Sequence, residues 1–89
     1  MEEEKFYEFC KGLEEIKNYS FLNVDEEKIE LPKADINRCN FKNCKIKEAN
    51  FENSSFYNVE FKNCDFSNSK FIGASFIRTR FKNCKLIRM

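Results

Sequence analysis

Residues 41–64 read FKNCKIKEANFENSSFYNVEFKNC, and the Phe-Lys-Asn-Cys that opens this stretch at Phe41 returns at Phe61 and again at Phe81. Inside the twenty-residue unit a large apolar residue falls at every fifth position: Phe41, Ile46, Phe51, Phe56, Phe61. Stepping outward by five adds Leu31 and Ile36 on one side and Phe66, Phe71, Phe76, Phe81 and Leu86 on the other. Ile, Leu and Phe supply only 22 of the 89 residues, so an unbroken run of twelve is a repeat. A period of five matches neither the 3.6 of a helix nor the 2 of a strand, so the chain must turn regularly to keep these side chains together.

Two further columns keep the same step. Two residues before each large one lie small residues: Ala34, Cys39, Cys44, Ala49, Ser54, Val59, Cys64, Ser69, Ala74, Thr79 and Cys84. Two residues after lie Lys33, Arg38, Asn43, Glu48, Asn53, Asn58, Asn63, Asn68, Gly73, Arg78, Asn83 and Arg88. Asn and Gly, which dominate this last column, tolerate a positive φ, so it marks a corner every five residues. Four pentads make one coil, and residues twenty apart lie over one another at the strand spacing of about 4.8 Å.

The pattern of residues 29–88, a small residue, a polar one, a central Leu or Phe and two more polar ones, resembles that of the pentapeptide-repeat proteins. The resemblance implies an all-β solenoid, a right-handed quadrilateral β-helix of about three coils, with central and small residues inside. Some bacterial members bind DNA gyrase or topoisomerase IV as acidic, rod-shaped DNA mimics. This chain departs from them, because residues 31–89 hold twelve bases and five acids and are short.

Residues 1–30, by contrast, carry ten acids and four Lys. Phe6, Phe9, Cys10, Leu13 and Ile16 stand at helical spacing, predicting an amphipathic helix over residues 2–18. Glu2, Glu3 and Glu4 favour its N-terminus and Asn18 its stop. The division expected is 1–28, capping helix and connector with Tyr19 and Phe21 or Leu22 buried, and 29–89, β-helix. A solenoid needs such a cap. The other end ends in mid-pattern at Met89 with no comparable element. Its outward residues turn apolar, and Ile72, Ile77, Phe81, Leu86, Ile87 and Met89 are the expected contacts of a homodimer through the C-terminal coil. A piece of a longer array is the alternative.

No catalytic, cofactor or metal site is expected. The chain lacks His, shows no Gly-rich phosphate loop, and scatters the acids of its repeats over outward positions. A column of Cys44, Cys64 and Cys84, with Cys39 round the corner, is not a tetrahedron and reads as small packed thiols, although stacked neighbours lie within disulfide reach. Lys42, Lys62 and Lys82 form one outward column, Arg80 lies beside it, and Lys45, Lys47, Lys85 and Arg88 occupy the next side. These residues are the expected surface for an acidic protein partner. Nucleic acid is disfavoured because the Phe rings face inward, leaving Tyr57 as the only outward aromatic of the repeats. With an acidic start, no membrane-spanning run and an odd number of cysteines, the reading is a cytoplasmic, non-enzymatic binding module of the repeat family.

Overall fold

The structure, a computed structural model, describes residues 5–86. One short helix, α1 (Phe6–Cys10), precedes ten strands: β1 (Ile16–Lys17), β2 (Ser20–Leu22), β3 (Asp25–Glu27), β4 (Asp35–Asn37), β5 (Asn40–Lys42), β6 (Lys45–Lys47), β7 (Ser55–Tyr57), β8 (Glu60–Lys62), β9 (Ser75–Ile77) and β10 (Arg80–Lys82). All pairings are parallel at an offset of twenty, as in Ile36 with Phe56 and Phe41 with Phe61. One side stacks β1, β4, β7 and β9, the next β2, β5, β8 and β10. The third pairs β3 with β6 and continues through bridges from Lys45 to Asp65 to Lys85; bridges from Glu30 to Asn50 to Lys70 mark the fourth. The fold is a four-sided β-solenoid of about three coils.

The corners explain how three-residue strands close into a square. At every fifth position from Asn18 to Asn83 the backbone adopts a positive φ, between 51° and 76°. Asn and Gly accept this conformation readily, but Lys28, Lys33, Arg38, Glu48 and Arg78 hold it at a steric cost of about 1–2 kcal/mol each. Arg38→Asn is therefore expected to raise stability by up to about 1 kcal/mol, read as a higher urea midpoint with an unchanged m-value. At Gly73 the glycine is required by more than φ, because a Cβ there would run into the side-chain amide of Asn53 one coil below.

Inside, the central residues stack by column and interlock by row. Between coils the ring centroids of Phe21, Phe41, Phe61 and Phe81 follow one another at 4.9, 4.9 and 4.8 Å, close to parallel. Around each coil, neighbours meet edge to face, as Phe61 does with Phe66 at 5.0 Å and 90°. Both geometries suit the ring quadrupole.

The N-terminal part differs from the sequence reading in two ways. The helix ends at Cys10 rather than running to residue 18, since Gly12 adds backbone entropy to be lost and the chain turns there. Ile16 satisfies the helical spacing and the five-residue step alike, and it lies in β1 as the first rung of the solenoid. Asn18, read as a helix stop, is the first corner. Residues 16–27 thus already form strands of a further partial coil, ahead of the boundary at residue 29. Phe21 is half-buried, but Tyr19 and Leu22 are exposed, because the short helix covers the centre of the mouth and leaves its rim open. Glu2, Glu3 and Glu4 lie outside the described residues.

The partial coil was hidden by Glu26, which occupies a central-column position otherwise held by Ile, Leu or Phe. Its carboxylate accepts hydrogen bonds from the backbone N–H of Phe6 at 2.6 Å and of Tyr7 at 3.0 Å. The acid satisfies two of the N–H groups that every helix start leaves without an intrahelical partner. Phe6 then drops onto the first two rungs, 4.9 Å from the Phe21 ring and 5.7 Å from that of Phe41.

Candidate interaction surfaces

The side built from β2, β5, β8 and β10 presents its central residues inward and their two neighbours outward, so register alone decides the charge of its face. Lys42 pairs with Lys62 and Lys62 with Lys82, forming a column of three lysines with Leu22 below it. The neighbouring outward column runs Ser20, Asn40, Glu60, Arg80. Lys42, Lys62, Lys82 and Arg80 therefore share one face, on which Glu60 is the single acid. Among the described residues the only side-chain ion pair within 4 Å joins Lys11 to Glu8, at 3.1 Å, and none involves the lysines of this face. Round the corner, Asn58, Glu60, Arg78 and Arg80 line an open groove of about 550 Å³.

Lys45 and Lys85 do not extend this face. On the adjacent side the column reads Asp25, Lys45, Asp65, Lys85, alternating in sign. Asp65 takes hydrogen bonds from the Ser67 hydroxyl and, at 2.9 Å, from its N–H. These, with Lys47 and Lys85 nearby, hold its carboxyl below the ordinary carboxylate range. The cationic surface is thus confined to one side and a corner, and the next side is a mixed ladder whose opposite charges support the stack.

In the last coil Ile72 and Ile77 are exposed, Phe76 is 36% exposed, and Phe81 and Leu86 are half-buried against the core. Ile87, Arg88 and Met89 lie outside the described residues. Arg78, at a corner, is the residue of this region that sequence reasoning passed over. Phe76 belongs to the core column, and its place in the uppermost described rung of its side exposes the ring, as expected of the rims at this end.

The small column has a chemical task besides packing. Side chains in this slot donate to a carbonyl of the coil below, twenty-three residues earlier: Cys39 to Ile16, Cys44 to Phe21, Ser54 to Leu31, Cys64 to Phe41, Ser69 to Ile46, Thr79 to Phe56 and Cys84 to Phe61, at 3.1–3.5 Å. Ser54 and Ser69 also accept from the N–H of Ala34 and Ala49. Cys, Ser and Thr are small donors that fit the slot, so each corner is fastened to its predecessor. No buried side-chain N or O among the described residues lacks a partner.

Cys39, Cys64 and Cys84 hold their protons more tightly than a free thiol, whereas the hydrogen bond with Cys64 pulls Cys44 down to about 7. Burial pushes the Cys39 and Cys84 thiols up, outweighing the lowering by backbone hydrogen bonds. Cys64 is pushed up first by its hydrogen bond with Cys44 and then by burial. A thiol whose folded value exceeds the unfolded one, about 8.5, gives its full stabilisation below that pH and loses it as pH rises toward the folded value. The three raised thiols are accordingly expected to make the melting temperature fall above about pH 8.5. Circular dichroism melts in which Cys64→Ser and Cys84→Ser flatten that fall would identify its source, since serine keeps the donor without titrating.

Among the described residues no group of three or more His, Cys, Asp or Glu side chains is placed to hold a metal ion, and no helix is long and apolar enough to cross a membrane. A family model described as a pentapeptide repeat region matches residues 14–89. No curated protein matches the chain. The family match opens just before β1, so it takes in the partial coil under α1.

Proposed function

From the premise that this chain belongs to the pentapeptide-repeat family, we propose that it is a non-enzymatic protein-binding module whose cationic side engages an acidic surface on a protein partner. The observation carrying this reading is the in-register column of Lys42, Lys62 and Lys82 beside Arg80. Three ammonium groups one rung apart repel by roughly 1 kcal/mol per pair even at water's dielectric, and an opposing row of carboxylates relieves that cost. Complementary potentials of this kind set encounter rate and partner choice more than raw affinity.

A protein partner is favoured over nucleic acid by the position of the aromatic rings. The rings that would stack on bases are in the core, and Glu60 interrupts the positive face. The thiol donors of the small column fit a reducing compartment, which makes the cytoplasm the proposed setting. DNA mimicry at gyrase has no counterpart in a cationic repeat region.

The test is co-purification of a partner, identified by mass spectrometry, on the full chain and on the double variant Lys42→Glu/Lys62→Glu. Both lysines have exposed or half-exposed side chains, so the fold should survive. Reversing two charges is expected to weaken binding about tenfold and to reduce its salt dependence. Equal binding by the variant, or loss of the partner on nuclease treatment, would rule the reading out.

A further inference from the structure

Cys44, Cys64 and Cys84 occupy the same slot in successive coils, and backbone hydrogen bonds bracket the first two. The Asn43 N–H donates to the Lys62 carbonyl at 2.9 Å, and the Asp65 N–H to the Cys44 carbonyl at 2.8 Å. The sulfurs repeat one placement: Cys44 lies 3.4 Å from the Phe21 and Lys42 carbonyls, and Cys64 lies 3.4 and 3.3 Å from those of Phe41 and Lys62. One cysteine therefore sits over the other at the strand spacing of about 4.8 Å. That separation falls within the Cα range of about 4.4–6.8 Å across which a disulfide closes. The two thiols also share a hydrogen bond, with the Cys44 sulfur as acceptor and Cys64 as donor. Both are buried, at 1% and 2% exposure, one residue beyond the exposed corners Asn43 and Asn63.

We infer that Cys44 and Cys64 are an oxidation site, closing as a reversible disulfide when the protein meets a small uncharged oxidant, hydrogen peroxide. The Cys44 thiolate attacks one peroxide oxygen; the O–O bond breaks, Cys44 becomes a sulfenic acid and hydroxide leaves. That hydroxide takes the Cys64 proton and becomes water. The Cys64 thiolate then attacks the Cys44 sulfur, the S–O bond breaks, and the departing hydroxide is protonated by solvent. Two thiols and one peroxide give one disulfide and two waters. The hydrogen bond from Cys64 suits Cys44 to the first step, because it pulls that thiol down to about 7 while Cys39 and Cys84 keep their protons. Burial decides the oxidant. Peroxide needs only a brief local opening of the corner, whereas glutathione disulfide would have to bring a bulky, charged molecule onto a sulfur with almost no exposed surface. Burial also shields the sulfenic acid from further oxidant and leaves it facing Cys64. The bond fastens together the two coils that carry Lys42 and Lys62, each two residues before its cysteine. In a reducing compartment it is transient, broken again by cellular thiols.

The test uses the full chain, reduced, desalted and treated with hydrogen peroxide at neutral pH. Free thiols titrated in denaturant are expected to fall by two from five, and dithiothreitol to restore them. Tryptic mapping by mass spectrometry should find the Cys44 and Cys64 peptides joined. Cys64→Ser should abolish the link, whereas Cys84→Ser should leave its yield unchanged; serine keeps the donor of the slot, so both variants fold. Glutathione disulfide in place of peroxide should add no mass to either cysteine. A link between Cys64 and Cys84 or between two molecules, a sulfinic acid on Cys44, or a glutathione adduct on either residue would overturn the inference. So would five thiols surviving a peroxide dose that consumes those of the urea-unfolded chain.

Discussion

Phe61→Ala is expected to cost about 3–5 kcal/mol, the range for emptying a fully buried aromatic site. Phe61 is 1% exposed and lies between Phe41 and Phe81 in its column, with Phe56 at 5.8 Å and Phe66 at 5.0 Å on either side. The ring therefore joins two coils axially and two sides laterally. Domains are stabilised by only about 5–15 kcal/mol in total, and one this short stands near the lower bound. Coils exchange stability only with their neighbours, so a hole at this rung also uncouples what lies above it from what lies below. Urea unfolding by circular dichroism should show a much lower midpoint, with a shallower slope if the halves separate. Phe76→Ala, at a ring already 36% exposed, should cost clearly less. Equal losses at the two positions would contradict the stacked-core account.

Phe6→Ala should come next, at roughly 3–4 kcal/mol, because Phe6 is 4% exposed and covers two rungs. Its loss uncovers Phe21 and Phe41, so binding of a hydrophobic dye should rise as stability falls. Glu26→Gln separates the two halves of the capping arrangement. It keeps an acceptor but removes the charge from hydrogen bonds to two N–H groups, for a loss of about 1–2 kcal/mol with the aromatic cover still in place. A helix that contributed nothing would leave both urea midpoints unmoved.

The five-residue step made the coil, its corners and its core readable from residue 31 onward. Each rung repeats the same demand, so errors at single positions average out. Even the corner column was visible, although Arg38 and Glu48 disguise it, because its Asn residues return on schedule. The first coil was not readable, and the reason is local. Glu26 broke the apolar column to serve a helix, and a run stopped there looks like a connector. Running the step backward through Phe21 to Ile16 would have recovered it. The helix was over-extended because Ile16 fits two periods at once. Charge was harder still: Lys45 and Lys85 look like part of a basic surface until coil register brings Asp65 between them.

The corner backbone has one consequence for descent. Because torsion at every fifth residue and donors in the small slot hold the shape, the two letters of each unit that are neither core, small slot nor corner face outward and are free to drift. Lineages with this architecture can exchange nearly all those letters and still superimpose. Kinship among them survives as rhythm long after spelling has gone, and binding preferences can be rewritten on the outside without reopening the question of how the chain folds.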